Sequence, residues 1–346
     1  MRRPETVVGD VVVRPWRDGD EVGIVEGWNA IFPAQDGLAP RDLAYWRWQY
    51  REHPLGRTEV AVAEREGRIV GQYAAIPFRA VSEGEEVTIG GVCDAYVLPE
   101  HRRAGGRPGL IVHVVRMLHE CWCGPDAALV RPGHVLLYGY PYPIWRVARR
   151  YLDSEMVRDM DVLFRELAAP GFRPVPLPGS CVVEEHAEVR ALGDEPWRLV
   201  AGGTPFGLVR DGAFLDWRYA RHPQREYRFV VARDAGDGRL RGLAVYRRGG
   251  YAAVTDAGLL CDWLCPAADD DAGTALLHGL ERRGLADGAP VLVGVLPQND
   301  PWFLALQRKG WLVGPPSHFL VMNSFGPEVR WLRDRWRFTL GDSDLV

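Results

Sequence analysis

The chain repeats itself, and an internal repeat limits the possible folds more than composition does. Residues 45–54 read YWRWQYREHP and residues 214–223 read FLDWRYARHP. Trp48, Tyr50, His53 and Pro54 match Trp217, Tyr219, His222 and Pro223 at an offset of 169. Three more landmarks follow in the same order. AVAEREGRIVG (61–71) faces VARDAGDGRLRG (231–242), GGVCDAYVLP (90–99) faces GLLCDWLCP (258–266), and VLLYGYPYPIW (135–145) faces VLVGVLPQNDPW (291–302). In the middle pair Cys93-Asp94 stands against Cys261-Asp262. Two copies of one domain are expected, and 346 residues at 47% hydrophobic and 25% charged leave room for both cores.

The hydrophobic pattern within a copy alternates between the two periods of secondary structure. In copy one a strand at 11–13 leads to a helix capped near Asp18 or Asp20, with Val22, Val25, Trp28 and Phe32 on one face. Strands follow at 59–64, 68–77 and 87–97. A helix from Pro108 to about Cys121 turns Leu110, Val114, Met117 and Leu118 inward, and a strand (134–140) and a helix (144–151) close the unit. Copy two repeats this through 227–233, 239–246, 251–260, 272–284, 290–296 and 301–309. The order implies an α+β fold, a mixed, mostly antiparallel sheet flanked by helices in each copy. The Pro- and Gly-rich stretch 166–180 reads as a linker between domains at 1–165 and 181–346. The tail WRFTLGDSDLV (336–346) reads as a last strand and an acidic turn.

Charge and cysteine content narrow the function classes. A net charge of −4 and a pI near 6.2 give no general attraction to nucleic acid or an anionic membrane. No apolar run reaches the roughly 18–20 residues that span a bilayer, and the opening MRRPETVVGDVVVRPW lacks the apolar core of a secretory signal. Six cysteines at 93, 121, 123, 181, 261 and 265 give only C-x-C and C-x₃-C spacings, not the paired C-x-x-C of a zinc site. They read as buried thiols of a cytoplasmic protein without a metal.

The chemistry concentrates in VLPEHRRAGGRPGLIVHVVRML, residues 97–118. A strand ends, a Pro-Glu turn follows, and an Arg- and Gly-rich loop opens onto a helix. Backbone amides at such a helix start form an anion site. Arg102, Arg103 and Arg107 add charge suited to a pyrophosphate. In copy two the equivalent loop, PAADDDAGTALL (266–277), puts Asp269, Asp270 and Asp271 there and would repel a phosphate.

This segment resembles the acyl-CoA-binding motif of the GNAT (Gcn5-related N-acetyltransferase) superfamily, V-x-P-E-x-R-x-x-G-x-G/A. Val97, Pro99, Glu100, Arg102 and Gly105 fall on the pattern, and Arg107 departs from it at the last place. The resemblance runs from Val11 to about Asp153 and, more weakly, over 195–315. It implies a tandem GNAT protein that uses acetyl-CoA or another acyl-CoA as co-substrate. Val97 and Leu98 would hold the pantetheine arm; the loop Arg102, Arg103, Ala104, Gly105, Gly106 and Arg107 would hold the pyrophosphate.

Copy two keeps Asn299, Gly310 and Trp311 of the family's last helix, but Leu306 stands where the general-acid Tyr is usual. That copy is expected to be structural or to shape the acceptor site.

Acyl transfer to an amine needs a base for the amine and an acid for the departing thiolate. Asp94, on the strand entering the loop, is the candidate base. Its match to Asp262 in the degenerate copy also fits a shared structural role. Tyr138, Tyr140 and Tyr142 are candidate acids, with Tyr142 chosen. His113, His119, His53, His222 and Cys93 are assigned to packing or turns, and the WRWQY segment to a core with Arg stacked on aromatics.

The leading expectation is an N-acyltransferase acting on a small-molecule amine, as a monomer or homodimer. Three other readings share these residues: an aminoacyl-tRNA-dependent transferase, another thioester reaction such as decarboxylation, and a non-catalytic CoA-binding protein.

Overall fold

The computed structural model describes residues 4–32, 40–140 and 144–344. The first copy runs β1 (Thr6–Val8), β2 (Val11–Pro15), α1 (Asp20–Ile31), α2 (Leu43–Tyr50), β3 (Glu59–Arg65), β4 (Arg68–Ser82), β5 (Glu85–Val97), α3 (Leu110–Trp122), β6 (Leu136–Gly139), α4 (Trp145–Tyr151) and β7 (Glu155–Glu166). The second runs β8 (Cys181–His186), α5 (Glu195–Ala201), β9 (Phe206–Leu208), α6 (Gly212–Leu215), β10 (Arg228–Asp234), β11 (Leu240–Tyr251), β12 (Val254–Leu264), α7 (Asp270–Ala286), β13 (Val291–Gly294), α8 (Pro301–Arg308), β14 (Leu312–Ser324) and α9 (Val329–Arg335). The chain is α+β, with mostly antiparallel pairing and helices laid on the sheets.

The chain divides into two units that do not follow the expected boundaries. One comprises Met1–Ala80, Glu86–Arg158 and Phe319–Leu332; the other Val81–Glu85, Asp159–His318 and Arg333–Val346. In the first unit the strand order is β1-β2-β3-β4-β5-β6, and the sheet is completed by the end of β14. Val321–Ser324 pairs antiparallel with Leu136–Gly139. In the second unit β13 pairs antiparallel with β7, Val291 facing Glu166 and Gly294 facing Leu163, and the order continues β12-β11-β10-β8. Each copy thus sends its last strand to the other unit's sheet. A cut at 165 would separate β7 from β13.

Helix α3 shows why the first core forms. Leu110, Val114, Met117 and Leu118 are buried as the spacing predicts, and Val112, Val115 and Cys121 join them. They pack over Val11, Val13, Ala61 and Ala63 of β2 and β3. In the second unit Leu276, Leu277 and Leu280 of α7 do the same over Val230, Ala232 and Ala244.

Helix α1 corrects the expected face. Val22 and Phe32 are exposed, while Ile24 and Gly27 are buried. Gly27 lies so close to the Tyr96 ring that any side chain there would overlap it. The expected last strand is also corrected: Trp336 makes one isolated bridge to Phe206, and a short 3₁₀ turn, Leu340–Asp342, follows.

His119 is tucked against Phe325, with ring centroids 5.3 Å apart, and burial lowers its pKa to about 4. The folded state keeps it neutral, whereas the unfolded chain takes up its proton below about pH 6.5. Its contribution is therefore complete above pH 6.5 and is lost as pH falls towards 4. Melting at pH 7.5 and 4.5 should show that His119→Phe removes on the order of 3 kcal/mol of the acid destabilisation. Equal losses in both proteins would contradict this.

Candidate functional site

Strand β5 delivers the chain into the loop and then parts from its neighbour. Its parallel pairing with β6 covers Gly90↔Leu137 and Gly91↔Tyr138, whereas β5 itself continues to Val97. Both glycines are required by packing, since a side chain at Gly90 would overlap Leu137 and one at Gly91 would press on Phe78. The Leu98 amide ties the exit of β5 to Val70 O at 2.9 Å.

The loop is built with every second amide engaged. Ala104 N donates to His101 O (3.0 Å) and Gly106 N to Arg103 O (3.0 Å). Among the described residues, the amides of Arg103, Gly105 and Arg107 have no protein partner. Gly105 has φ +73°, and a side chain there would run into Val8. Only glycine allows that close approach. Arg102, Arg103 and Arg107 are exposed, and Gly109 begins α3 without a side-chain cap. Free amides, an uncapped 13-residue helix and three arginines make a fitting cradle for a pyrophosphate.

The second unit lacks this cradle for a visible reason. Asp269 caps α7 by accepting from Ala272 N at 3.1 Å, and its carboxylate is held by Arg241 at 2.6 Å. The helix start already holds an anion of the chain's own. Leu306 is fully buried, with no phenol in its place.

Asp94 sits at φ +54° on β5 and is buried. Its Oδ2 is ion-paired with Arg41 and accepts from the Tyr50 hydroxyl at 2.6 Å. Burial pushes the Tyr50 pKa well above its ordinary value, so the phenol stays a donor. Gln72 Nε2 donates to the Asp94 carbonyl at 2.9 Å. The other carboxylate oxygen, Oδ1, is buried without a hydrogen-bond partner, as are Gln49 Oε1 and Gln72 Oε1. Asp94 and Gln72 line a narrow cavity of about 10 Å³, enough for one water, walled by Trp28, Tyr45, Trp46 and Tyr50. The Arg41 guanidinium lies over the Trp28 ring at 3.8 Å and is the arginine stacked in this aromatic cluster.

Tyr142 lies outside the described residues. Tyr138 is buried on β6 beside Gly91. His53 closes the turn before Pro54 by accepting from Leu55 N at 3.2 Å, and His222 repeats this with Gln224 N at 3.1 Å. His113 lies beside Gly105 at the loop, a position its helical spacing does not disclose. Arg41, Gln49 and Gln72 escaped the sequence reading, although a signal for the first was present: Arg41 and Arg210 stand at the same 169-residue offset as the tryptophans. Among the described residues no group of three or more His, Cys, Asp or Glu could hold a metal, and no helix is long and apolar enough to cross a membrane.

Residues 12–129 match the family model of the acetyltransferase (GNAT) domain. No curated protein sequence matches the chain. Three solved structures share its fold at low identity. A conserved protein from Enterococcus faecalis V583 has a TM-score of 0.63 at 14% identity, over 94% of this chain and 74% of its own. A GCN5-related N-acetyltransferase from Anabaena variabilis has a TM-score of 0.63 at 13% identity, over 90% and 72%. The Saccharomyces cerevisiae N-myristoyltransferase, solved with myristoyl-CoA, has a TM-score of 0.57 at 10% identity, over 93% and 84%. The strand, Arg/Gly loop and helix at 97–118 lie inside the matched segment, so residues 12–129 are similar to the GNAT acetyltransferase domain.

Proposed function

We propose that the first unit transfers an acyl group, acetyl foremost, from CoA to the primary amine of a small molecule. The observation that carries this reading is the loop at 102–107, with its unpartnered amides and exposed arginines at the start of α3. There the pyrophosphate would rest, with the pantetheine arm along Val97 and Leu98. Asp94 lies three residues upstream of Val97, about 10 Å along an extended strand.

The amine attacks the thioester carbonyl, and the oxyanion is received by a strand amide near Val97. As the new C–N bond forms, Asp94 Oδ1 takes a proton from the amine. The C–S bond then breaks, and Tyr142 protonates the leaving thiolate to give free CoA. The second unit, with its acid-capped α7, serves as a structural partner. The six cysteines are all buried and none is in a disulfide, which supports a reducing, cytoplasmic setting.

Thermal unfolding tests the donor site. CoA or acetyl-CoA at 100 times its Kd should add about 2.7 kcal/mol, and Arg102→Ala with Arg103→Ala should lose most of that gain. No shift in the wild type at millimolar CoA would overturn the assignment.

A further inference from the structure

The two copies carry the same three-residue cluster and treat it differently. In the second unit Arg210 Nε donates to both oxygens of Asp262 at 2.8 Å, and the Tyr219 hydroxyl donates to Asp262 Oδ2 at 3.0 Å. Arg210, Tyr219 and Asp262 are the repeat partners of Arg41, Tyr50 and Asp94. The chain's own tail enters the second cluster. Thr339 Oγ1 donates to Asp262 Oδ1 at 3.0 Å, and the Asp342 carboxylate is ion-paired with Arg210. The fit leaves no slack: a side chain at Gly341 would overlap the Tyr219 hydroxyl.

In the first unit the corresponding places are unfilled by protein among the described residues. Asp94 Oδ1, the counterpart of the oxygen that Thr339 satisfies, is buried and unpartnered. Among the described residues Arg41 has one carboxylate, Asp94, where Arg210 has two. A buried acceptor without a donor is costly, and a water, an ion or a ligand that donates to it removes that cost.

The geometry points to an amino acid, or a similarly small aminocarboxylate, as the ligand of the Arg41–Tyr50–Asp94 cluster. This rests on the acceptor site lying at Asp94, as proposed above. The ligand's carboxylate takes the part of Asp342 on Arg41. Its ammonium takes the part of the Thr339 hydroxyl, giving N–H donors to Asp94 Oδ1 and Gln72 Oε1. The water-sized cavity between the aromatic rings has the room of one ammonium group. Charge selects the same class. A zwitterion leaves the Arg41–Asp94 pair neutral, a simple amine adds a second cation beside Arg41, and a hydroxy acid brings one donor where two acceptors wait.

Calorimetric titration of the full chain, with and without saturating CoA, tests this with L-alanine, alaninamide and L-lactate as probes. L-Alanine should bind at least tenfold more tightly than either analogue, and Arg41→Lys should erase the preference over alaninamide. Equal binding of alanine and alaninamide, or binding of none of the three while CoA still stabilises the protein, would overturn the inference and leave the acyl-CoA reading standing. Absence of CoA stabilisation would instead remove the acyl-CoA reading, and the ranking of the three probes would still decide the ligand class.

Discussion

Asp94→Asn is expected to turn over about 10²–10⁴-fold more slowly than the wild type, while CoA still raises its melting temperature. Asparagine keeps the size of the side chain and an oxygen for the Tyr50 hydroxyl, which now lies 2.6 Å from Asp94 Oδ2. It cannot take a proton. The proposed donor cradle at 102–107 is untouched, so retained CoA stabilisation separates lost chemistry from lost folding. A merely structural aspartate would lower kcat in step with stability and leave the pH profile unchanged. A base predicts that the acid limb of kcat/KM against pH disappears. Turnover within threefold of wild type would remove Asp94 from the mechanism and leave it the structural role that Asp262 already has.

Asp262→Ala should cost about 3–5 kcal/mol, the usual consequence of removing one partner from a buried ion pair. Asp262 is fully buried and accepts from Arg210, Tyr219 and Thr339. Burial works against the Arg210 charge, yet Asp262 and Asp342 outweigh it and hold its pKa above the ordinary value. Burial also raises the Asp342 pKa, against the pull of Arg210, so Asp342 alone is a poor substitute for the lost carboxylate. The Tyr219 hydroxyl and the docked tail would lose their common anchor. Urea unfolding followed by tryptophan fluorescence gives the readout, since Trp263 adjoins the cluster and Trp336 begins the tail. A loss under about 1 kcal/mol would show that the tail, rather than the ion pair, holds this region.

Several features were legible because their signal is local. The strand, turn, Arg/Gly loop and helix that form the proposed donor cradle are contiguous between 97 and 118, and their residue types state their conformations directly. Gly105 at φ +73° and the buried stripe of α3 needed no distant partner to be read. Helix α1 was misread because its apolar residues fit two faces, and only the approach of Tyr96 to Gly27 selects the buried one.

The sequence by itself determined that two α+β segments share landmarks in the same order, that one has an Arg- and Gly-rich loop at a helix start, and that the other has aspartates there. Tertiary structure decided what the copies do with shared residues. Tyr50 meets Asp94 across 44 positions, and Arg210 meets Thr339 and Asp342 across 129 and 132. Contacts at such separations leave no periodicity in the chain, and the same Arg, Tyr and Asp can be sealed by a tail or left open to a ligand. The exchange of β7 and β14 was hidden for the same reason, because a strand's own pattern tells that it pairs and not with which sheet.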